Sequence, residues 1–393
     1  MVKLRKDCLM FLILCLVFTA TSSQSASDQI KLNQLGFYTY APKVAAITSS
    51  PSSPVFFVVN PNSKDTVYRG KLSHQRQSLN SSLKTHIADF SAYQSPGTYI
   101  LFVPGIGYSY PFTISDQVHR TIAIASLKGY YYQRISMPLQ EKYAGKWKRP
   151  AGHADTEILI HPSAASRQRP AGTKISSPGG WYDAGDYNKY IVNSGITMGT
   201  LLSAYEDFPA HFDKLPTNIP ETNDEIPDIL NEILYNLRWM LTMQDPHDGG
   251  VYHKCTNAAF DGMVMPGVTT APRYVVQKGT AASLDFAAVM AQSARILRKF
   301  KKQLPGLADT CLKAPTAAWA WSQNNPALIY NQNAINSQHE PKITTGAYGD
   351  RDFKDEWLWA AAELYTLTKD KQYQSVLAER INDSMQLPTW GNV

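Results

Sequence analysis

Cysteine is scarce in this chain, since the 393 residues contain four. Cys8 and Cys15 lie in the N-terminal apolar stretch, which leaves Cys255 and Cys311 for the rest of the protein. This pair can form one disulfide bond in an oxidising compartment or stay as two separate buried thiols. Two cysteines are too few for a disulfide framework, so we expect apolar cores to hold the fold together.

An excess of charge of one sign is also lacking, because 38 basic residues face 32 acidic ones and the formal net charge is +6. The charges are spread along the chain and are not gathered into a basic cluster. A protein that binds nucleic acid usually carries a concentrated positive surface. The sequence therefore predicts no nucleic-acid partner.

Long apolar runs are missing after the N-terminus, where no segment approaches the roughly 18 apolar residues that a membrane span needs. At the N-terminus itself, basic residues precede an apolar stretch at residues 9–17 and a small, polar zone at residues 20–27. This order is typical of a secretory signal peptide. We predict a signal peptide at residues 1–26 and a secreted protein, extracellular or periplasmic, that has no membrane attachment after cleavage.

Residues 28–116 carry short apolar or alternating runs that are separated by turn-forming Pro, Gly and Asn. Many short strands with regular turns are typical of a β-sandwich. The predicted strands lie at residues 30–37, 43–47, 55–59, 66–68, 85–90, 98–103 and 110–114.

From residue 117 the apolar period changes from two to about 3.6, which predicts helices. Several of the helical patterns end near proline, as helices commonly do. The connections at residues 137–188 and 245–279 are long, and long ordered loops in a compact domain usually build a site. About seven helices are predicted, at residues 119–136, 189–207, 226–244, 280–300, 307–323, 353–367 and 372–385.

The most informative segment, residues 179–190, reads Gly-Gly-Trp-Tyr-Asp-Ala-Gly-Asp-Tyr-Asn-Lys-Tyr. It sets Asp183 and Asp186 three residues apart. Because two close carboxylates repel each other, we expect at least one perturbed pKa, as a general base requires. A calcium site, or acids that stabilise a helix N-terminus, is the alternative interpretation of this pair.

The same segment is rich in aromatic residues and glycine. The large, rigid faces of Trp181, Tyr182 and Tyr187 suit stacking on sugar rings. Glycines at positions 179, 180 and 185 allow backbone angles that side chains disfavour, which indicates a shaped loop.

These twelve residues resemble the signature of glycoside hydrolase family 9, a family of inverting cellulases built on a barrel of helical hairpins. Residues 28–116 resemble the immunoglobulin-like module that often precedes that catalytic domain. The resemblance implies an immunoglobulin-like β-sandwich followed by an (α/α)6 barrel domain over residues 117–393. Further family-like segments follow in the family's order: Gly-His-Ala-Asp-Thr-Glu at 152–157, Leu-Thr-Met-Gln-Asp at 241–245, Gly-Gly-Val-Tyr-His-Lys at 249–254 and Asp-Glu-Trp-Leu-Trp at 355–359.

The resemblance implies roles for particular side chains. Asp186 would be the general base, and Asp183 would help to hold the attacking water. His253, Asp355 and Trp359 would contact the substrate, a β-1,4-linked glucan such as cellulose. The implied chemistry requires no cofactor. Structural calcium is common in the family, but its ligands are not identified in this sequence, and no cysteine is placed for the family's thiolate zinc site.

Part of the family pattern is absent. The family's closed barrel uses twelve helices, so we expect an incomplete barrel and a catalytic domain truncated at its C-terminal end. The general-acid glutamate expected near that end has no counterpart, because Glu340 and Glu356 fit a solvated loop and a structural helix position better. We expect endo-action on β-1,4-glucan. The alternatives are an exo-acting glucosidase or glucosaminidase of the same family and an inactive, truncated glycan-binding remnant.

Overall fold

The computed structural model describes residues 25–77 and 80–381. The predicted signal peptide lies outside these residues apart from its last two positions, and so does the chain after residue 381. The protein divides into two compact units, with the division after Ala123. Each unit has a core of its own.

The first unit consists of two antiparallel sheets, ordered β1-β2-β6-β5 and β4-β3-β7-β8, with β9 paired to β7. Side chains alternate between buried and accessible along β7, as expected of a strand with one face on a core. The predicted sandwich is therefore confirmed. Its strands are β1 (Ile30–Leu32), β2 (Val44–Ile47), β3 (Val55–Val59), β4 (Thr66–Lys71), β5 (Arg76–Gln77), β6 (Lys84–Asp89), β7 (Gly97–Val103), β8 (Gly107–Tyr108) and β9 (Phe112–Ile114).

An aromatic cluster forms part of the core of this unit. Phe37 meets Phe90 and Phe112 edge to face, with ring centroids 5.3 and 5.6 Å apart. Full burial of one such side chain contributes roughly 1.5–3 kcal/mol. The cluster draws residues from three separate parts of the chain into one core, which stabilises the long-range pairing of the strands.

The second unit is mainly helical, and the predicted helices are present with ends shifted by a few residues, except that the predicted end of the last one, at residue 385, lies outside the described residues. The helices are α1 (Arg120–Gln133), α2 (Glu141–Ala144), α3 (Ile191–Asp207), α4 (Pro209–Phe212), α5 (Asp228–Thr242), α6 (Thr280–Leu297), α7 (Leu307–Asn324), α8 (Gln332–Gln338), α9 (Lys354–Thr368) and α10 (Lys371–Arg380). Short 3-10 turns occur at Gly145–Trp147, Pro162–Ala164 and Arg298–Phe300.

Helix α6 is central to the second unit, because nearly every one of its residues is buried. It packs against α3, α7 and α9. Burial on every face means that neighbouring elements enclose the helix, including its polar Asp285 and Gln292. Its many Ala and Ser residues let the neighbouring helices approach closely. Trp319 and Trp321 of α7 are buried.

The long connections of this unit form a five-stranded sheet that the sequence did not predict. The order is β11-β10-β14-β13-β12, with β10 and β14 parallel. Two- to four-residue strands are too short to show alternation, so no pattern marks them. The strands are β10 (Ile158–Ile160), β11 (Lys174–Ile175), β12 (Lys189–Tyr190), β13 (Lys254–Asn257) and β14 (Arg273–Val275).

The two remaining cysteines do not form a disulfide bond. Cys255 and Cys311 are both free and buried. Of the two alternatives left open by the sequence, the structure therefore has two separate thiols. Burial raises the pKa of the Cys311 thiol to about 12, so it stays protonated at neutral pH.

Candidate active site

The segment 179–190 is a shaped loop that begins with two glycines in the left-handed region. Gly179 has a φ of 78° and Gly180 a φ of 82°. A Cβ atom at Gly180 would lie 2.9 Å from the ring of Trp239, so a side chain has no room there. Gly185 has open space around it and no positive φ, so the predicted conformational demand holds only for the first two glycines.

A buried ion triad fixes both ends of this loop. Asp155 lies 2.7 Å from Lys189 Nζ and 2.7 Å from Arg273 Nε. Lys189 donates to the carbonyl of Gly179 at 3.0 Å, and Arg273 donates to the carbonyl of Tyr187 at 2.7 Å. Burial raises the pKa of Asp155, but the two cations outweigh it and hold that pKa below its usual value. The carboxylate thus pairs with both of the side chains that shape the loop.

Asp183 is half-buried and accepts two hydrogen bonds. Asn193 Nδ2 donates to its Oδ1 at 2.7 Å, and the Tyr348 hydroxyl donates to its Oδ2 at 2.8 Å. Burial raises the pKa of Asp183 and the charge of Asp186 acts in the same direction, while the two donors oppose the shift. The expected repulsion within the carboxylate pair is therefore present, and it is felt at Asp183.

Asp186 is also half-buried, but both of its side-chain donors bond to one oxygen. Asn188 Nδ2 and the Tyr190 hydroxyl donate to Oδ2 at 2.5 and 3.0 Å. Among the described residues, Oδ1 accepts no side-chain hydrogen bond. Asp186 Oδ1 is therefore the carboxylate oxygen of this pair that remains available to a water molecule.

A buried lysine lies behind the two carboxylates. Lys254, which pairs with Tyr190 between β13 and β12, donates to Gln332 Oε1 at 2.8 Å, Thr345 Oγ1 at 3.0 Å and the Gly346 carbonyl at 2.6 Å. Burial lowers the pKa of Lys254 to about 7, and the charge of Asp186 opposes this shift. Lys254 thereby links the carboxylate loop, at Tyr190, to residues 345–346, which precede Tyr348 in the sequence.

His253 does not lie on an open surface. Only 1% of the residue is exposed, and its ring stacks on Tyr330 with centroids 4.1 Å apart. Burial lowers the pKa of His253 to about 3, so the ring is neutral, and Nε2 donates to the Ala347 carbonyl at 2.8 Å. The predicted contact with glycan stays a prediction that would require residues 345–348 to move, because here the ring supports that segment.

The aromatic residues of the loop differ in accessibility. Trp181 and Tyr182 are buried, whereas Tyr187 is half-buried. The first two line a cavity of about 90 Å³ together with Asp183 and Tyr190, large enough for several water molecules. Little of either ring is exposed, and the stacking role of Trp181 and Tyr182 stays a prediction.

The other predicted substrate residues lie on α9. Asp355 is exposed, and Trp359 is half-buried over Gly199 of α3. Trp357, two positions before Trp359, is buried. Glu356 is buried too, and burial together with Asp285 and Asp355 raises its pKa to about 10. The helix therefore carries a carboxyl group that is protonated at neutral pH.

Metal ligation has no visible basis in the part of the chain that the structure describes. No group of three or more His, Cys, Asp or Glu side chains there is arranged to hold a metal ion. The expected structural calcium therefore stays a prediction without assigned ligands.

A groove of about 900 Å³ near residues 205–228 is lined by none of the predicted site residues.

Several residues of the site escaped the sequence reasoning. Tyr348 and Asn193 hold Asp183, while Asp155 and Lys254 hold the loop from behind. Tyr348 lies 165 residues from its partner, and nothing in its own neighbourhood marks it. Asp155 lies within the family-like segment at residues 152–157. The occurrence of that segment together with the carboxylate loop could have indicated that Asp155 belongs to the site.

A β-sandwich followed along the chain by a helical domain is the organisation of one class of glycoside hydrolases. The family model of glycosyl hydrolase family 9 matches residues 120–393, and that of the cellulase N-terminal Ig-like domain matches residues 25–108. The chain belongs to glycosyl hydrolase family 9. The expected fold class, an immunoglobulin-like domain followed by helices of an (α/α)6 barrel, is thereby confirmed.

Similar proteins with known descriptions agree with this family. The chain is 46% identical over 379 residues to the xyloglucan-specific endo-β-1,4-glucanase BoGH9A of Bacteroides ovatus, covering 96% of this chain and 64% of the relative. It is 34% identical over 357 residues to endoglucanase D of Acetivibrio thermocellus, covering 90% and 54%. The chain thus spans less than two thirds of the length of these relatives.

Solved structures show the same similarity in three dimensions. The structure described as Bacteroides ovatus GH9 matches with a TM-score of 0.87 and 47% identity, over 93% of this chain and 66% of that chain. A metagenome-derived family 9 endoglucanase matches with a TM-score of 0.79 and 30% identity, over 92% and 65%. None of the described helices has both the length and the apolar character that a bilayer crossing demands.

Proposed function

We propose that this protein is an exported endo-acting glucanase that cleaves β-1,4-glucan with inversion. The observation that carries the proposal is the carboxylate pair Asp183 and Asp186, held by buried supports beside a cavity that accommodates water. Inversion needs one carboxylate to activate water and, roughly 6.5–9.5 Å away, a carboxylic acid to protonate the leaving oxygen. Two aspartates in one short loop supply the first of these sides.

Asp186 acts as the general base in this proposal. Its Oδ2 accepts hydrogen bonds from Asn188 and Tyr190, and its Oδ1 takes the proton of the attacking water. Asp183 positions that water, and its own orientation is set by Tyr348. We assign the acid to neither Glu340, which is exposed, nor Glu356, which is buried against Asp285.

The proposed substrate class follows from the relatives. Both curated relatives named above are described as endo-acting or as endoglucanases, and one is described as specific for xyloglucan. We therefore propose a β-1,4-glucan backbone as the substrate, with branched xyloglucan favoured. We also propose export, supported by the layout of residues 1–26. Protein recovered from the producing cells should begin near residue 27, and an unprocessed N-terminus would contradict export.

The test compares the wild type with Asp186→Asn, Asp183→Asn and a control, Asp309→Asn, on the exposed surface of α7. Hydrolysis is followed by viscosity and by reducing ends, and binding by affinity electrophoresis on xyloglucan. We expect Asp186→Asn to lower turnover by several orders of magnitude, because general base catalysis contributes about 10²–10⁴-fold and its acceptor is removed outright. Asp183→Asn should lower turnover by less, while both variants keep wild-type glycan affinity.

Each alternative has a distinct outcome. Viscosity that falls no faster than reducing ends appear would indicate an exo-acting enzyme. Glycan binding without hydrolysis would indicate a glycan-binding protein and contradict enzymatic action of this chain. Near wild-type turnover in Asp186→Asn would remove Asp186 from the role of base, and a β-anomeric first product detected by NMR would contradict inversion.

A further inference from the structure

The segment 258–269, which we name the apolar loop, exposes apolar side chains next to the candidate active site. Met263 is fully exposed, and Phe260, Met265 and Val268 are each more than half exposed. Single exposed apolar residues are common on protein surfaces, but a contiguous group of them marks a contact surface. Four such residues within nine positions of one loop make it a candidate contact surface.

The apolar loop is attached to the candidate site at several points. Tyr187, inside the carboxylate loop, donates from its hydroxyl to the Val264 carbonyl. The backbone at Gly152, beside His153, packs so closely on Gly267 that a Cβ atom there would lie 2.8 Å from the Gly267 nitrogen. At its start, the Ala258 carbonyl accepts from the Thr344 amide at 2.7 Å. The apolar loop is therefore hydrogen-bonded to the carboxylate loop at Tyr187 and to the segment before Tyr348 at Thr344.

The chemistry of the exposed side chains points to an occupant with irregular apolar faces. Sugar rings present C–H faces that pack against aromatic and aliphatic groups, as Phe260 and Val268 provide. Methionine is flexible and polarisable and adapts to uneven surfaces, which suits Met263 and Met265. An unbranched glucan offers its ring faces to the floor of a site, whereas branch sugars project sideways toward a wall.

We infer that the apolar loop is a side wall of the glycan site and selects a β-glucan that carries branch sugars over an unbranched one. The inference rests on the proposed function, since it assumes that a glucan backbone lies along Asp183 and Asp186. It adds residues that determine which glucan is bound and assigns them no part in bond cleavage.

The experiment measures the glycan affinity of the full chain by affinity electrophoresis in gels that contain xyloglucan or hydroxyethylcellulose. The variants are Met263→Ser/Met265→Ser and Phe260→Ser, and the matched control is Phe208→Ser, an exposed aromatic residue outside the site. We expect the double variant to lose about tenfold in affinity for xyloglucan, equivalent to part of the free energy of burying two methionine side chains. Affinity for hydroxyethylcellulose should change less than about threefold, and Phe208→Ser should match the wild type.

The outcomes separate this inference from the proposed function. Wild-type protein that binds neither glycan would overturn both. Wild-type binding with unchanged affinities in the loop variants would overturn only the side wall, and equal losses on both glycans would overturn its selectivity for branches. Sedimentation velocity tests the other occupant: a wild-type dimer that the variants convert to monomer, with unchanged glycan affinity, would make the loop a contact between copies and overturn the inference.

Discussion

Replacing Asp155 by Asn should destabilise the helical unit severely. The substitution keeps the shape of the side chain but leaves Lys189 and Arg273 buried without their shared anion. Removing one partner of a buried ion pair costs about 3–5 kcal/mol, and here one anion serves two cations, which favours the upper end. With a urea m-value of about 3 kcal/mol/M, the unfolding midpoint should fall by roughly 1–1.7 M.

Tryptophan fluorescence is a specific probe for this experiment. All eight tryptophans of the chain lie after the division at Ala123, so their emission reports on the second unit alone. The double variant Asp155→Asn/Lys189→Met should lose less stability than its two single variants combined, because it removes one of the unpaired cations. A midpoint within about 0.3 M of the wild type for Asp155→Asn, corresponding to about 1 kcal/mol, would refute the triad as a structural support.

Three further predictions use the same unfolding assay. Burial lowers the pKa of Lys254 to about 7 from an ordinary value of 10.5, so between these pH values the unfolded chain binds more protons than the folded one. The stability of the wild type should therefore rise relative to that of Lys254→Met as pH increases from 7 to 10.5. A constant difference in stability would contradict the lowered pKa. Arg134→Met should lower the free energy of unfolding by about 3–5 kcal/mol, because it removes the buried partner of Glu232. This loss of stability should be larger at pH 8 than at pH 5, where protonation neutralises the Glu232 carboxyl. Equal losses at the two pH values would argue against an ionised Glu232. Gly180→Ala should lower the free energy of unfolding by about 1–3 kcal/mol, because Gly180 has a positive φ and lies against the Trp239 ring, whereas Gly185→Ala should be nearly neutral. Similar unfolding midpoints for the two variants would contradict the loop geometry.

The helices could be predicted from the sequence because their apolar residues recur at the helical period over many turns. Thr280–Leu297 was predicted at its correct start for this reason. The sequence also indicated a shaped carboxylate loop, since its glycines, aromatics and aspartates are contiguous, and the left-handed Gly179 and Gly180 agree with it. Both patterns involve residues that are close together in the sequence, so they can be recognised without knowledge of the fold.

The burial of individual polar residues could not be predicted in the same way. His253 has a polar ring in a connection between helices, and only the fold encloses it between Tyr330 and the Ala347 carbonyl. Tyr348 and Lys254 likewise acquire their roles from contacts across tens to hundreds of residues. Such roles depend on which segments meet in space, and a single sequence does not record that.

The bond between Tyr348 and Asp183 also has a consequence for synthesis. The two residues are 165 positions apart. At a translation rate of about 5–20 residues per second, Asp183 leaves the ribosome roughly ten to thirty seconds before its partner. During that interval the β-sandwich, whose strands end at Ile114, is already complete and can fold, whereas the carboxylate loop lacks the hydroxyl that orients it. The carboxylate loop therefore receives its orienting hydroxyl only after the β-sandwich has been synthesised.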